Sequence, residues 1–368
     1  MNVKLLDLQA QYLPLRSEIR RVIDEVCDTQ SLILGPHVER FERDLADYCG
    51  TKHAIGVSSG TDALLCSLMA LGVGPGDEVI CPSFTFFATA GSIARLGAVP
   101  VFVEIDPRTF NMDPDRVEEK VTRRTRAIMP VHLFGQLARM DPINDLARRR
   151  DLVVIEDAAQ AIGAKRHGKP ACAHGFAGCL SFYPTKNLGG FGDAGAICTD
   201  DDQFAETCRL LRVHGSGHQY HHKLIGGMFR MAAIQAAVLG VKLKHLDGWH
   251  EARRKHAALY DKLFAGSPVV RPHIEEGNWS VYNQYVVRVP GGHRDRVKQR
   301  LAERGVVTGI YYPIPLHLQE CFAHLGYKEG DLPETERACR EVLALPVYPE
   351  LPEEQVRYVA KELLAAVG

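Results

Sequence analysis

The sequence predicts an α/β protein with a mostly parallel sheet, followed by a smaller α+β unit, and two patterns carry that expectation. From residue 54 to 199, short apolar runs alternate with segments whose apolar residues recur at helical spacing. Several of those runs, such as VICP at 79–82 and LVVI at 152–155, are apolar at successive positions instead of every second one. A strand apolar on both faces is covered on both sides, the condition of a parallel sheet packed between helices.

Taken in order, Leu15, Ile19, Val22, Ile23 and Val26 mark an opening amphipathic helix that SLILGP at 31–36 ends, and a second helix covers 37–48. Strands are expected at 54–57, 78–81, 99–104, 127–132, 152–155 and 194–199, with helices at 62–71, 88–96, 114–121, 142–150 and 203–211. A polar loop follows at 213–223. One long helical segment, 231–264, leads to a part where strands at 284–288 and 306–311 are mixed with helices at 294–304, 335–343 and 353–366. The 368 residues exceed a usual single core, so a large domain at 1–245 and a small one at 246–368 are expected.

Composition removes several classes of function. With 44 Lys and Arg against 45 Asp and Glu, the formal net charge of −1 gathers neither nucleic acid nor anionic membrane. A small, specific ligand is the expected partner. Ten scattered cysteines without a C-x-x-C pair read as reduced core residues of a cytoplasmic protein. The N-terminus lacks the order of a signal peptide, and Arg95 interrupts the longest apolar stretch, 84–102, so no membrane partner is expected.

Ligands of such sheets bind outside the carboxyl ends of the strands, which directs attention to four segments. SFYPTKNLGGFGDAGA, 181–196, sets Lys186 between turns punctuated by Pro and Gly. A lysine attacks a carbonyl only when partly unprotonated, which requires desolvation or a nearby positive charge; most lysines are instead solvated surface charges. SSGTDAL, 58–64, is a strand-to-helix turn that offers N–H groups and a positive dipole to a phosphate, or simply an N-cap by Ser59 or Thr61. Asp157, in VVIEDAAQAIG, stands beyond a buried strand where a carboxylate can meet a cationic nitrogen, or act as a cap or ion pair. No G-x-x-x-x-G-K-[ST] loop supports a magnesium role for it. Phe86, in PSFTFFAT, can stack on a planar ring or pack in the core, and Ser181 can add a hydroxyl to the phosphate site.

Two other patterns lose their context. The G-x-G-x-x-G at 190–195 leads into a strand and not out of one into a helix, so a dinucleotide site is not expected. His214, His218, His221 and His222 share a loop without acidic or cysteine partners, and no metal is expected there. A phosphate turn, an aromatic plate, an acid and a desolvated lysine are, together, the parts that hold pyridoxal phosphate. The lysine forms a Schiff base, and the acid keeps the pyridine nitrogen protonated so that the ring accepts electrons.

In this order SSGTDAL, GDEVICPSFTFFAT, VIEDAAQAIGA, SFYPTKNLGGFGDAGA, FRMAAIQAAVL and YYPIPLHLQ resemble the DegT/DnrJ/EryC1/StrS family of sugar aminotransferases, from LLDLQAQY near the start to LPVYPEL near the end. The resemblance implies a fold type I aminotransferase with a seven-stranded sheet, a homodimer with active sites at the subunit interface. By match to the family motifs, Lys186 carries the cofactor and Asp157 partners its pyridine nitrogen. Gln160 reaches the ring hydroxyl, Phe86 stacks on the ring, and Gly60, Thr61 and Ser181 surround the phosphate; Asn187 stands beside the lysine. His317, with Tyr311 in the same YYPIPLH segment, falls where the family brings C-terminal groups toward substrate, unless it is a surface histidine fixed by prolines.

The implied reaction moves an amino group from L-glutamate to a keto group of a nucleotide-linked sugar, 3-keto favoured over 4-keto. A keto-cyclitol acceptor, or a non-catalytic regulatory protein on the same scaffold, are the alternatives. One departure stands out. Where the family often reads G-x-N-[FY]-R, its Asn reaching the neighbouring subunit's phosphate, this chain has Met228 before Phe229 and Arg230, and Ala232 where an acid is common. Either Arg230 supplies the cross-subunit contact or the phosphate is held less tightly.

Overall fold

The computed structural model describes residues 1–218 and 220–367, with only the backbone of His218. Two helices open the chain. Asp7 caps α1 (Leu8–Thr29), accepting from the amides of Gln9 and Ala10, and so starts the helix earlier than its apolar spacing alone indicates. The second, α2 (Pro36–Cys49), has proline at its first turn and ends at Gly50, whose φ of 64° suits glycine.

The alternating part follows as β1 (His53–Val57), α3 (Gly60–Ala70), β2 (Glu78–Pro82), α4 (Ala88–Arg95), β3 (Val99–Val103), β4 (Thr125–Ile128), α5 (Met140–Arg150) and β5 (Val153–Asp157). A small hairpin, β6 (Lys165–Arg166) and β7 (Lys169–Pro170), precedes β8 (Ala177–Ser181), β9 (Gly195–Thr199) and α6 (Asp202–Leu211). The expected polar loop carries a further hairpin, β10 (Ser216–His218) and β11 (His221–His222). Then come α7 (Ala233–Leu243), α8 (Leu246–Leu263), β12 (Asn278–Trp279), β13 (Tyr285–Arg288), α9 (Arg294–Glu303), α10 (Pro333–Glu341), β14 (Val342–Leu345) and α11 (Glu353–Val367).

Seven strands make the central sheet in the order β1-β9-β8-β5-β4-β2-β3, and β9 alone runs antiparallel to its neighbours. Successive residues of each strand enter opposite cores. Ala54, Ile80, Ile128, Val154 and Cys198 pack with α1, α2, α5 and α7, whereas Ile55, Val79, Ala127, Ile155 and Ile197 pack with α3, α4 and α6. A third core joins Tyr260 of α8, Tyr285 and Val287 of β13, Leu343 and Leu345 of β14 and Val356 of α11, with Val3 from the N-terminus. All ten cysteines are free and eight are buried. Among the described residues, no helix is long and apolar enough to cross a membrane.

The structure departs from the sequence reading at definite places. The helix expected at 114–121 is two short 3₁₀ turns, Pro114–Arg116 and Glu118–Lys120, in which Pro114 alone is buried. The long segment at 231–264 divides between α7 and α8, around His245. At 306–311 there are only single bridges, Val306 to Val3 and Gly309 to Ala344. The strand expected to reach 132 stops at Ile128, before Pro130, which has no N–H to donate.

The unforeseen strand β8, AGCLS, has small residues for a reason: a Cβ on Gly178 would lie 2.4 Å from both Cα and Cβ of Cys172. Gly178→Ala is therefore expected to destabilise the fold by about 2 kcal/mol in denaturant unfolding, as overpacking does. Unchanged stability would show that the close approach is not required.

Candidate active site

Four strands deliver residues to one edge of the sheet. Ser58 to Thr61 follow β1, Ser83 to Phe86 follow β2, and Asp157 and Ser181 end β5 and β8. Glycines let these ends touch. A Cβ on Gly60 would sit 2.6 Å from Cβ and 3.1 Å from Oγ of Ser181, and one on Gly195 would sit 2.4 Å from the carbonyl of Ser59. The N-cap reading of Ser59 holds: its Oγ accepts from the Asp62 amide at 3.0 Å, while the Ser58 and Ser59 hydroxyls donate to Asp62 Oδ2. The first-turn N–H groups of Gly60 and Thr61 have no acceptor within the helix, and this end of α3, whose first turn also carries Asp62, packs against Ser181.

Lys186 sits in a tight connection between β8 and β9. Its amide donates to the Tyr183 carbonyl at 2.8 Å, and the Gly190 amide to that of Phe182 at 2.8 Å. The turn closes only with glycine at 189, where a Cβ would lie 2.2 Å from the Pro184 carbonyl oxygen. The half-buried Lys186 loses hydration, which pushes its ammonium from 10.5 down to about 8, against the opposing pull of the Asp157 carboxylate.

Asp157 is only 5% exposed. Burial raises its carboxyl above the usual range even though Thr89 Oγ1 donates to Oδ2 at 2.8 Å, the Ala159 amide to Oδ1 at 3.2 Å, and Lys186 attracts it. Its neighbour Glu156 is spoken for. On the other face of β5, it accepts from His132 Nε2 at 2.7 Å and from the amides of Cys172, His174 and Gly175. The Ala138 amide donates to His132 Nδ1, so the ring proton is on Nε2 and points at Glu156. Thus β5 carries a saturated structural acid beside an acid with capacity to spare.

The remaining expected residues separate into two groups. Gln160 is close by: its Oε1 accepts from the Phe134 amide at 2.8 Å and its Nε2 donates to Tyr312 Oη at 2.9 Å. Phe86 is 60% exposed at the strand ends. Arg230 is half-buried, its backbone bridged to Val57 and hence beside the Ser58–Thr61 turn of its own chain, while Met228 is 65% exposed.

Asn187, however, is buried and donates to the Val281 carbonyl at 3.1 Å, which fastens the lysine turn to the C-terminal part. Tyr311 is half-buried against Phe134 and Tyr312. His317 is 1% exposed, so the surface reading fails. Ser83 Oγ and Glu336 Oε1 engage its two ring nitrogens at 2.7 and 3.3 Å, leaving the imidazole no free atom for a substrate. Of the histidine group, His214, His221 and His222 are exposed, and the side chain of His218 lies outside the described residues.

Two residues at the site escaped the sequence reading. Thr89 holds Asp157, and its signal was a second threonine one turn after Thr85, whose Oγ1 it meets at 3.0 Å. Tyr312, and not Tyr311, meets Gln160; nothing local distinguishes the adjacent pair, because a φ of +63° at Tyr312 decides where each ring goes.

A sheet of this order with a lysine on the β8–β9 connection and an acid ending β5 is the framework of an aminotransferase. The chain belongs to the DegT/DnrJ/EryC1/StrS aminotransferase family, whose family model matches residues 14–364. A pleiotropic regulatory protein of Geobacillus stearothermophilus is 55% identical over 99% of this chain and 98% of its own length. The UDP-N-acetyl-3-dehydro-alpha-D-glucosamine 3-aminotransferase of Acidithiobacillus ferrooxidans is 42% identical over 97% of this chain and 96% of its own. The solved structure of S. venezuelae DesV in complex with a ketimine intermediate superposes with a TM-score of 0.97 at 42% identity, covering 100% of this chain and 98% of that one.

The depressed ammonium has a sign that can be measured. Between about 8 and 10.5 the unfolded chain binds this proton and the folded one does not, so through Lys186 stability rises with pH across that window, and the buried charge is a burden below it. Thermal unfolding of cofactor-free Lys186→Met should show a gain over the parent at pH 7 that shrinks by pH 10. A gain of equal size at both would refute the desolvated ammonium.

Proposed function

We propose that the protein is a pyridoxal phosphate-dependent aminotransferase that moves an amino group from L-glutamate to a keto group of a nucleotide-linked sugar, the 3-keto position favoured. The observation that carries this reading is the pairing of a half-buried Lys186, its ammonium weakened by lost hydration, with a buried Asp157 at the edge where α3 meets Ser181. These residues fit the cofactor. The contact between Gly60 and Ser181, which any Cβ would fill, suits a phosphate, and a cationic ring nitrogen would favour the charged form that burial disfavours in the Asp157 carboxyl. In this reading Gly60, Thr61 and Ser181 hold the phosphate, Asp157 the ring nitrogen and Gln160 the ring hydroxyl, with Phe86 against the ring. Bound cofactor supplies an electron sink for negative charge at the amino-bearing carbon.

The chain's own part is to hold and move protons. Lys186 Nζ, partly unprotonated near neutral pH, would hold the cofactor and, when free, would accept and return the proton of the amino-bearing carbon. Thr89 keeps Asp157 oriented during these changes. The 3-keto preference draws on the name of the 42% identical 3-aminotransferase. Met228 and Ile225, 65% and 92% exposed near Arg230, suit burial against a second copy, so a homodimer with Arg230 at the shared site belongs to the same proposal.

The regulatory name of the 55% identical relative favours a second reading, a binding protein on the same scaffold. Lys186→Ala separates them. As an enzyme, the parent protein shows a borohydride-reducible visible chromophore and aminates a nucleotide-linked 3-keto sugar with glutamate, detected by product mass. The variant then folds but loses turnover by at least about a thousandfold, as for removal of a nucleophile. Unimpaired turnover in the variant would sink the mechanism, and a parent with no chromophore or turnover would favour the binding protein. Assays with 4-keto sugars and keto-cyclitols fix the acceptor.

A further inference from the structure

A second lysine, this one buried, touches the same loop. Lys242, on α7, is 5% exposed, and its Nζ donates a hydrogen bond to the carbonyl of Gly189, in the turn that carries Lys186. Seven residues before it, two turns along the same helix face, Gln235 Oε1 accepts from the Phe191 amide at 2.7 Å. So α7 grips the loop twice, once at a carbonyl and once at an N–H. The Nζ of Lys242 lies 5.8 Å from the centre of the Trp249 ring, and although burial disfavours its charge, the carboxylate of Glu350, from the segment after β14, favours it. Glu350 also favours the charge of Arg253 on α8, whose Nη1 donates to the carbonyls of Tyr282, Asn283 and Val347. Asn187 reaches the adjoining Val281 carbonyl, so the segment after Lys186 is held at residues 187, 189 and 191, by the C-terminal part and by α7.

A buried ammonium costs more than the neutral side chain that would fill the same space, and a charge-assisted bond to a carbonyl recovers part of that only if the carbonyl's position matters. We propose that Lys242 is a positioning residue for Lys186: its ammonium, bound to the Gly189 carbonyl, fixes the 186–189 turn and so the approach of Lys186 Nζ to the carbonyl it attacks. This rests on the aminotransferase reading for its chemistry but not for its structural part.

The test compares the parent with Lys242→Met, Lys242→Gln and Lys242→Arg, each loaded with pyridoxal phosphate. Three readouts are taken: the pH midpoint of the reducible visible chromophore, the kcat and KM of its bleaching by L-glutamate, and amide hydrogen exchange over 184–192 in cofactor-free protein. In Lys242→Met the chromophore persists, its midpoint moves upward because a nearby cation is gone, and kcat falls about 10- to 100-fold with KM little changed. Exchange at 187–191 accelerates, and Lys242→Arg restores most of each property. Parent-like midpoint, kcat and exchange in Lys242→Met would overturn the proposal. If that variant fails to fold, Lys242→Gln decides by the same criteria. Should the parent itself form no chromophore, the aminotransferase reading fails, and exchange alone judges the clamp: faster supports it, unchanged overturns it.

Discussion

An ammonium withdrawn from water is unfavourable unless something answers its charge, and the carboxyl edge of this sheet is arranged around that constraint. Asp157 answers for Lys186, but Asp157 is itself buried and is held by Thr89 and the Ala159 amide. Behind it, Glu156 is saturated by His132 and three amides, so the strand that presents one reactive carboxyl is made rigid by the other. Close contact of Gly60 with Ser181, and of Gly195 with Ser59, brings the helix dipole of α3 into the same small space.

The arrangement bears on the choice between enzyme and regulator. A binding protein gains nothing from an ammonium whose burial lowers stability at neutral pH, nor from a carboxyl whose charged form burial disfavours. Both features are liabilities in a scaffold and assets in proton transfer. The family likeness sets the fold; these two residues set the chemistry it is suited to perform.

The fold class was legible because each strand repeats one rule, two apolar neighbours that enter opposite cores, as Val79 and Ile80 do. Lys186, Asp157 and Gln160 were legible because each follows or ends a strand on the same edge. What escaped reading depends on partners far away in the chain. β8 looks too small to be a strand until Cys172 is seen against Gly178. His317, framed by prolines that suggest a surface loop, is buried by Ser83 and Glu336, and no local pattern records either partner. Likewise the departures at Pro130 and around His245 are decided by one backbone donor and one break in a helix axis, below what apolar spacing resolves.

The reversed strand β9 has a consequence for how such a site can change. Because β9 runs back along β8, Ser181 and Gly195 are register partners, and residues 182–194 leave and re-enter the sheet at one point. A parallel return would have required a crossover of a dozen or more residues packed outside the sheet. The reactive lysine therefore sits in a noose with a fixed neck. Residues can be exchanged along its rim without displacing the neck, and strand order elsewhere in the chain can drift without reaching the rim. Chemistry is thereby kept in a short closed segment, while the choice of substrate is left to surfaces brought up against it.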